Sequence, residues 1–585
     1  MKFLDRLPRY LFFTGKGGVG KTSVACASAV HLADEGKRVL LVSTDPASNI
    51  GQVFGLVIGN TITSIPSVPR LSALEIDPEA AADAYRERII GPLRGALPDA
   101  ELDGVRESLS GSCTTEIASF DEFTELLTDG GRYAEFDHVM FDTAPTGHTI
   151  RLLQLPGSWS EFLTAGGDAS CLGPLSGLER HKATYANAVQ ALTDPTRTRL
   201  VLVTRAQRSA LSELARTFDE LHGIGMPDGY VVVNGVLPGA AGDEPLAAAV
   251  RDRESAAVAG MPERVAALPR DSIDLKPENI VGVDAVRAFF HPAAPAPPVA
   301  EGGTAVTEAP LAVLVDQIER DGHALVLCMG KGGVGKTTIA AAIALRLAHR
   351  GHPVLLTTTD PAAHLIQTLA GAAVDDLTVS RIDPHLAVQA YRSRVMASKG
   401  RDLDDEARAA LAEDLMSPCN DEVAVFHEFS RAISEARRKF VIIDTAPTGH
   451  TLLLLDAAGS YHREIARQMG EGAGFVTPLM RLQDPALTKV LLVTLPETTP
   501  VLEAEDLAAD LRRAGIEPWA WVVNNSLAAA KPRSPFLRGR ARNELDRIAQ
   551  VRDEAERVAV VPTLVEEPVG PVRLSALTEA ASQLV

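Results

Sequence analysis

Gly15-Lys16-Gly17-Gly18-Val19-Gly20-Lys21-Thr22 recurs unchanged 315 positions later as Gly330-Lys331-Gly332-Gly333-Val334-Gly335-Lys336-Thr337. Both copies fit G-x-x-x-x-G-K-[ST]. An apolar run precedes each (Tyr10 to Phe13; Ala324 to Met329) and an Ala-rich stretch follows, which predicts strand, loop and helix in that order. Glycines at 15, 17, 18 and 20, and at 330, 332, 333 and 335, let successive backbone N–H groups converge on one concavity at a helix N-terminus, where phosphate binds. Lys21 and Lys336 would reach the β- and γ-phosphates of ATP, and Thr22 and Thr337 would offer a hydroxyl to Mg²⁺. The chain reads as a tandem nucleotide-driven machine.

The repeat extends past the loops. Ser43-Thr44-Asp45-Pro46-Ala47 answers to Thr358-Thr359-Asp360-Pro361-Ala362, again at 315. Phe141-Asp142-Thr143-Ala144-Pro145-Thr146-Gly147-His148-Thr149 is matched by Ile443-Asp444-Thr445-Ala446-Pro447-Thr448-Gly449-His450-Thr451 at 302, and Val231-Val232-Val233-Asn234 by Trp521-Val522-Val523-Asn524 at 290. The shrinking offset means that the second copy has lost residues between shared strands.

Runs such as Val39 to Val42, His138 to Phe141, Leu200 to Val203, Tyr230 to Val233, Val354 to Leu356, Phe440 to Ile443, Val490 to Val493 and Trp519 to Val523 are continuously apolar and separated by helical stretches. That pattern predicts a mostly parallel sheet covered by helices on both faces, twice over: an α/β protein of two homologous phosphate-loop domains forming an intramolecular pseudo-dimer. The 585 residues suffice for two such domains. Pro and Ala crowd residues 291–300, so the division is a first domain over 1–289, an extended linker over 290–310 and a second domain over 311–585.

Ligands of such sheets bind at the carboxyl ends of the strands, where all the repeated motifs lie. Asp45 and Asp360 are placed to orient the water that attacks the γ-phosphate, and Asp142 and Asp444 to reach the Mg²⁺ shell. Strand-end Asp and Asp-Pro are also ordinary turn elements. Asn234 and Asn524 would meet an adenine edge, or serve only as turn residues. Lys16 and Lys331 stand where a wrapped loop would keep them from their own phosphates, free to point toward a facing half. This resembles the deviant Walker A NTPases, in which that lysine crosses a two-fold interface.

The formal net charge is −19 and the pI near 5.3, against a nucleic-acid-binding face as the main partner surface. No apolar run reaches membrane-spanning length and the first residues lack the apolar core of a secretory signal, so a cytosolic location is expected. Of the five cysteines, Cys26 and Cys328 flank the phosphate loops as small core residues. Cys113 and Cys419 occupy matched segments, Ser112-Cys113-Thr114-Thr115-Glu116 and Pro418-Cys419-Asn420-Asp421-Glu422. About a pseudo-two-fold they would face each other, with Cys171 completing a trio that favours a soft, thiophilic centre. Three unrelated buried cysteines would give the same list.

With the two G-K-G-G-V-G-K-T loops, the two D-T-A-P-T-G-H-T segments, S-C-T-T-E-I-A-S-F-D-E-F at 112–123, C-L-G-P-L at 171–175 and S-P-C at 417–419, the chain resembles the arsenical pump-driving ATPases over nearly its whole length. The resemblance implies an arsenite- or antimonite-stimulated ATPase. It places metalloid ligands on Cys113, Cys171 and Cys419, with His148, Ser417 and His450 as further site positions. As(III) or Sb(III) bound between the halves would promote closure and hydrolysis. It further implies a membrane arsenite efflux protein, to which the chain would bind peripherally, and a small metallochaperone that delivers the metalloid. The alternative reading is an ATP-dependent membrane-protein-targeting chaperone of the same superfamily, against which stand the fused halves and the lack of a C-x-x-C pair.

Overall fold

The structure, a computed structural model, describes residues 1–44, 50–91, 112–127, 133–143, 186–293, 306–360, 365–398, 418–446 and 477–579, with a few isolated positions between them. Two compact units emerge: Met1–Ala240 with Arg251–Ala294, and Ala241–Val250 with Pro295–Val585.

The first unit is built on an eight-stranded sheet. Its strands in chain order are β1 (Tyr10–Thr14), β2 (Val39–Ser43), β3 (Thr63–Ser64), β4 (Leu71–Glu75), β5 (His138–Asp142), β6 (Thr198–Thr204), β7 (Tyr230–Val236) and β8 (Arg270–Asp274). Their spatial order is β3-β4-β2-β5-β1-β6-β7-β8, and only the β3–β4 pair is antiparallel. The second unit repeats the plan in seven strands: β9 (Leu325–Met329), β10 (Val354–Thr358), β11 (Leu377–Val379), β12 (Phe440–Asp444), β13 (Thr488–Thr494), β14 (Pro518–Ser526) and β15 (Val558–Pro562). The order is β11-β10-β12-β9-β13-β14-β15, all parallel.

The central strands are apolar at every position because both faces are covered. In β1, Tyr10 and Phe12 enter one core with Phe123, Leu126, Leu211 and Leu214, while Leu11 and Phe13 enter the other with Val24 and Val30 of the helix Lys21–Asp34. In β9, Val326 and Cys328 take one side and Leu325, Leu327 and Met329 the other. Residue alternation thus divides one run between two cores. The expected α/β class is borne out.

Edge strands carry a different signal. β8 is largely polar and only Ile273 of its five residues is buried. At the far edge of the second sheet, Ala309 bridges in parallel to Ala559, and Val560 N donates to Ala309 O at 3.0 Å. The helix expected near Leu311 runs Leu311–Arg320. Residues 294–305 lie outside the described set. No described helix is long and apolar enough to cross a membrane.

A carboxyl group accepts hydrogen bonds at the end of one strand in each unit, buried in the second and half-buried in the first. Beyond β14, Glu544 Oε2 accepts from Ser526 Oγ at 2.8 Å and Ala528 N at 2.9 Å, and Oε1 from Leu527 N at 3.1 Å. Beyond β7, Glu254 Oε2 accepts from Leu237 N at 2.8 Å. Burial pushes the Glu544 carboxyl from 4.5 to about 7, against the pull of the three donors. The folded chain therefore holds this proton more tightly than the unfolded one. The stabilisation is fully present below pH 4.5 and is lost as pH rises through 7, a total of about 3 kcal/mol. Denaturant unfolding of wild type and Glu544→Gln at pH 5 and pH 8 should show a drop in stability for wild type that the variant lacks. Equal slopes would contradict the shift.

Candidate nucleotide sites

Each phosphate loop leaves the strand at the centre of its sheet, between neighbours that lead the chain in opposite directions across the sheet. That switch point is where open α/β sheets bind ligands. Gly15, at φ +150°, lies so close to β6 that an added Cβ would sit 2.1 Å from Val203 O, and Gly330, at +144°, would meet Val493 O at 2.2 Å. The loops close with Gly20 (φ +88°) and Gly335 (φ +95°) as left-handed N-caps of the helices Lys21–Asp34 and Lys336–His349. Neither cap supplies a side-chain hydrogen bond, so the first helical N–H groups face the loop.

The lysines that follow are buried and turned into the loops. Lys21 Nζ donates to Lys16 O at 3.3 Å, and Lys336 Nζ donates to Gly330 O at 2.9 Å and Lys331 O at 2.8 Å. The predicted Mg²⁺ residues meet in both halves: Thr22 Oγ1 donates to Asp142 Oδ2 at 2.6 Å, and Thr337 Oγ1 to Asp444 Oδ2 at 2.7 Å. The next residue anchors each strand end, Thr143 Oγ1 donating to Phe13 O at 2.8 Å and Thr445 Oγ1 to Cys328 O at 2.9 Å.

Asp444 is almost fully buried. Burial raises its carboxyl to about 6, Lys336 and the Thr337 hydroxyl oppose the rise, and Asp360 adds to it. It is ionised at neutral pH, and its Oδ1 accepts no hydrogen bond among the described residues. A hydroxyl beside an ionised carboxylate, both offering oxygen, fits a hard divalent cation such as Mg²⁺. Asp360 N donates to Thr358 Oγ1 at 3.0 Å, and Thr358 Oγ1 donates to Asp444 Oδ2 at 3.3 Å, which links the two acidic positions of the second half. Asp45 lies outside the described residues.

Asn234 and Asn524 brace the loops. Asn234 Nδ2 donates to Val19 O and Asn524 Nδ2 to Val334 O, both at 2.9 Å. The same amide nitrogens stand 2.2 Å from where a Cβ on Gly20 or Gly335 would lie. Lys16 and Lys331, expected to be free for a facing half, each pair with a glutamate of their own half, Glu213 and Glu503. Sequence reasoning missed these acids. Their signal was the repeat itself, since they are separated by the same 290 positions as the two asparagines.

Cys26 and Cys328 are fully buried and burial pushes both thiols well up, so neither offers a thiolate. Cys113 and Cys419 are the second residues of the helices Ser112–Leu126 and Pro418–Glu435, of which the backbone alone is described there. Cys171, His148, Ser417 and His450 lie outside the described residues.

Similarity to known proteins converges on one family. The model of the anion-transporting ATPases matches residues 8–292, 323–481 and 476–583, taking in both sets of loop, Thr–Asp pair and asparagine. The chain belongs to the anion-transporting ATPase family. It is 58% identical over 582 residues to the arsenical pump-driving ATPase of Acidiphilium multivorum, covering 99% of this chain and all of that one. An Escherichia coli protein of the same name is 58% identical over 584 residues, with the same coverage. The ATPase GET3 of Kluyveromyces lactis is 33% identical over 252 residues, 39% of this chain and 72% of that protein. As an anion-transporting ATPase with two complete phosphate loops, the chain is an ATP hydrolase.

Proposed function

We propose that this ATP hydrolase is stimulated by As(III) or Sb(III) and drives metalloid efflux through a membrane pump. The observation that carries the reading is end-to-end similarity at 58% identity to proteins named arsenical pump-driving ATPases, with a phosphate loop and a Thr–Asp pair in each half. Cys113, Cys171 and Cys419 supply thiolates to the metalloid, with His148, Ser417 and His450 beside them. Three soft sulfur donors suit trivalent arsenic or antimony and not Mg²⁺. Two of them open helices at matched positions of the repeat.

ATP is held by the glycine loops, Lys21 and Lys336, and its base lies toward Asn234 and Asn524. Thr22 with Asp142 and Thr337 with Asp444 would hold Mg²⁺, whose chemistry is to neutralise the phosphate charge that shifts during transfer. Asp45 and Asp360 orient the attacking water. Lys16 and Lys331 serve a site other than the one their own loop wraps.

Coupling runs through D-T-A-P-T-G-H-T. Asp142 and His148 are six residues apart, as are Asp444 and His450, a span of at most about 20 Å. One short segment thus joins the Mg²⁺ carboxylate to the metalloid position. A membrane arsenite efflux protein is the pump partner, reached by peripheral association from the cytoplasm, and a metallochaperone supplies the metalloid. Steady-state ATPase assays with and without submillimolar antimonite test the reading. A severalfold rise is expected. An unresponsive enzyme would favour the alternative, an ATP-dependent membrane-protein-targeting chaperone.

A further inference from the structure

Each phosphate loop carries two lysines, and the structure sends them in different directions. Lys21 and Lys336 turn inward onto carbonyls of their own loops. Lys16 Nζ instead lies 3.2 Å from Glu213 Oε2, and Lys331 Nζ meets Glu503 Oε1. These glutamates are the sixth residues of the helices Arg208–Gly223 and Thr498–Arg513, the elements that follow β6 and β13.

The ties are not ordinary surface ion pairs. Glu213 is 5% and Glu503 9% exposed, whereas the lysine side chains are 27% and 22% exposed. A carboxylate at that depth needs a compensating cation, and removing one partner of such a pair is costly. The lysine is consequently held from the buried side with its outer face toward solvent. The wrapping of the loop, expected from the sequence to keep this lysine from its own phosphates, is not enough by itself, since Coulomb attraction draws any mobile ammonium on the loop toward them. The arrangement appears in both halves, which share the six-residue placement although the helices differ in sequence.

We propose that Glu213 and Glu503 are positioning residues that hold Lys16 and Lys331 off the phosphates of their own loops. Each loop then grips its nucleotide with one lysine and keeps the other away, so that diphosphate product is not bound too tightly to leave. The inference requires ATP hydrolysis and no metalloid, so its test is independent of the response to antimonite.

The full chain carrying Lys336→Gln reports the first site alone when titrated with a fluorescent ADP analogue. Adding Glu213→Gln should tighten binding about 5- to 10-fold, because the freed ammonium falls onto the phosphates, and should lower kcat. In a Lys16→Met background the same Glu213→Gln change should give no tightening, the signature of direct coupling between the two side chains. Tightening that persists without the lysine, or affinity that is unchanged or weaker in Glu213→Gln, overturns the proposal. Should Glu213→Gln fail to fold, Glu503→Gln in a chain silenced by Lys21→Gln, with Lys331→Met as background, puts the same question to the second site.

Discussion

Gly330→Ala should reduce the nucleotide stoichiometry of the full chain from two to one. The added Cβ would lie 2.2 Å from the backbone oxygen of Val493 and force φ +144° on an alanine. Neither the central strand β13 nor the loop can yield without breaking the sheet at the switch point. The cost is roughly 3 kcal/mol or more, which corresponds to about a 100-fold loss of affinity when it falls on the phosphate-binding conformation. Gly322→Ala is the matched control, because its Cβ would meet nothing within 4 Å and its strain at φ +86° lies outside the site. That variant should lose only about 1–2 kcal/mol of stability and keep both nucleotides. Calorimetric titration with a non-hydrolysable ATP analogue distinguishes the two. Two full-affinity sites in Gly330→Ala would show that the close approach to β13 is dispensable.

Replacing any one of Cys113, Cys171 or Cys419 with serine should abolish stimulation of hydrolysis by antimonite, each variant being compared with its own unstimulated rate. A serine hydroxyl has nearly the volume of the thiol but is a hard donor that stays protonated at neutral pH, so a thiophilic centre loses one of three anchors. Cys26→Ser and Cys328→Ser should retain the response, since both thiols are buried beside the phosphate loops and held protonated. Stimulation should also weaken as pH falls below the thiol range, because binding must release protons. Undiminished stimulation in all three serine variants would remove the thiolate site from the account.

What could be read without coordinates was whatever the interior imposes on composition. β1, β5, β9 and β12 are buried on both faces, and their unbroken apolar runs announced them. β3, β8 and β11 were not visible, because edge strands face solvent and Thr63-Ser64 or Arg270 to Asp274 carry no apolar signal. β4 is internal and as long as β1, but its Ser72 and Glu75 interrupt the apolar pattern. The phosphate loops and the Thr–Asp pairs were legible because their chemistry tolerates few residue types. Glu213 and Glu503 were not, since a helix-borne acid looks like any solvated charge until the fold brings it to a lysine 172 residues away, as it does for Lys331. The bracing role of Asn234 and Asn524 likewise depends on a backbone approach that only the folded loop reveals.

Thr22 and Asp142 are 120 residues apart in the chain, whereas Thr337 and Asp444 are only 107 apart, yet the atoms meet at 2.6 and 2.7 Å. The excursion between them has been trimmed in one copy and spared in the other, with the fuel chemistry intact in both. Identical subunits have no such licence, because one gene edits both at once. Joining the copies end to end lets each drift on its own, so one engine can become the slow timekeeper while its twin does the rapid firing.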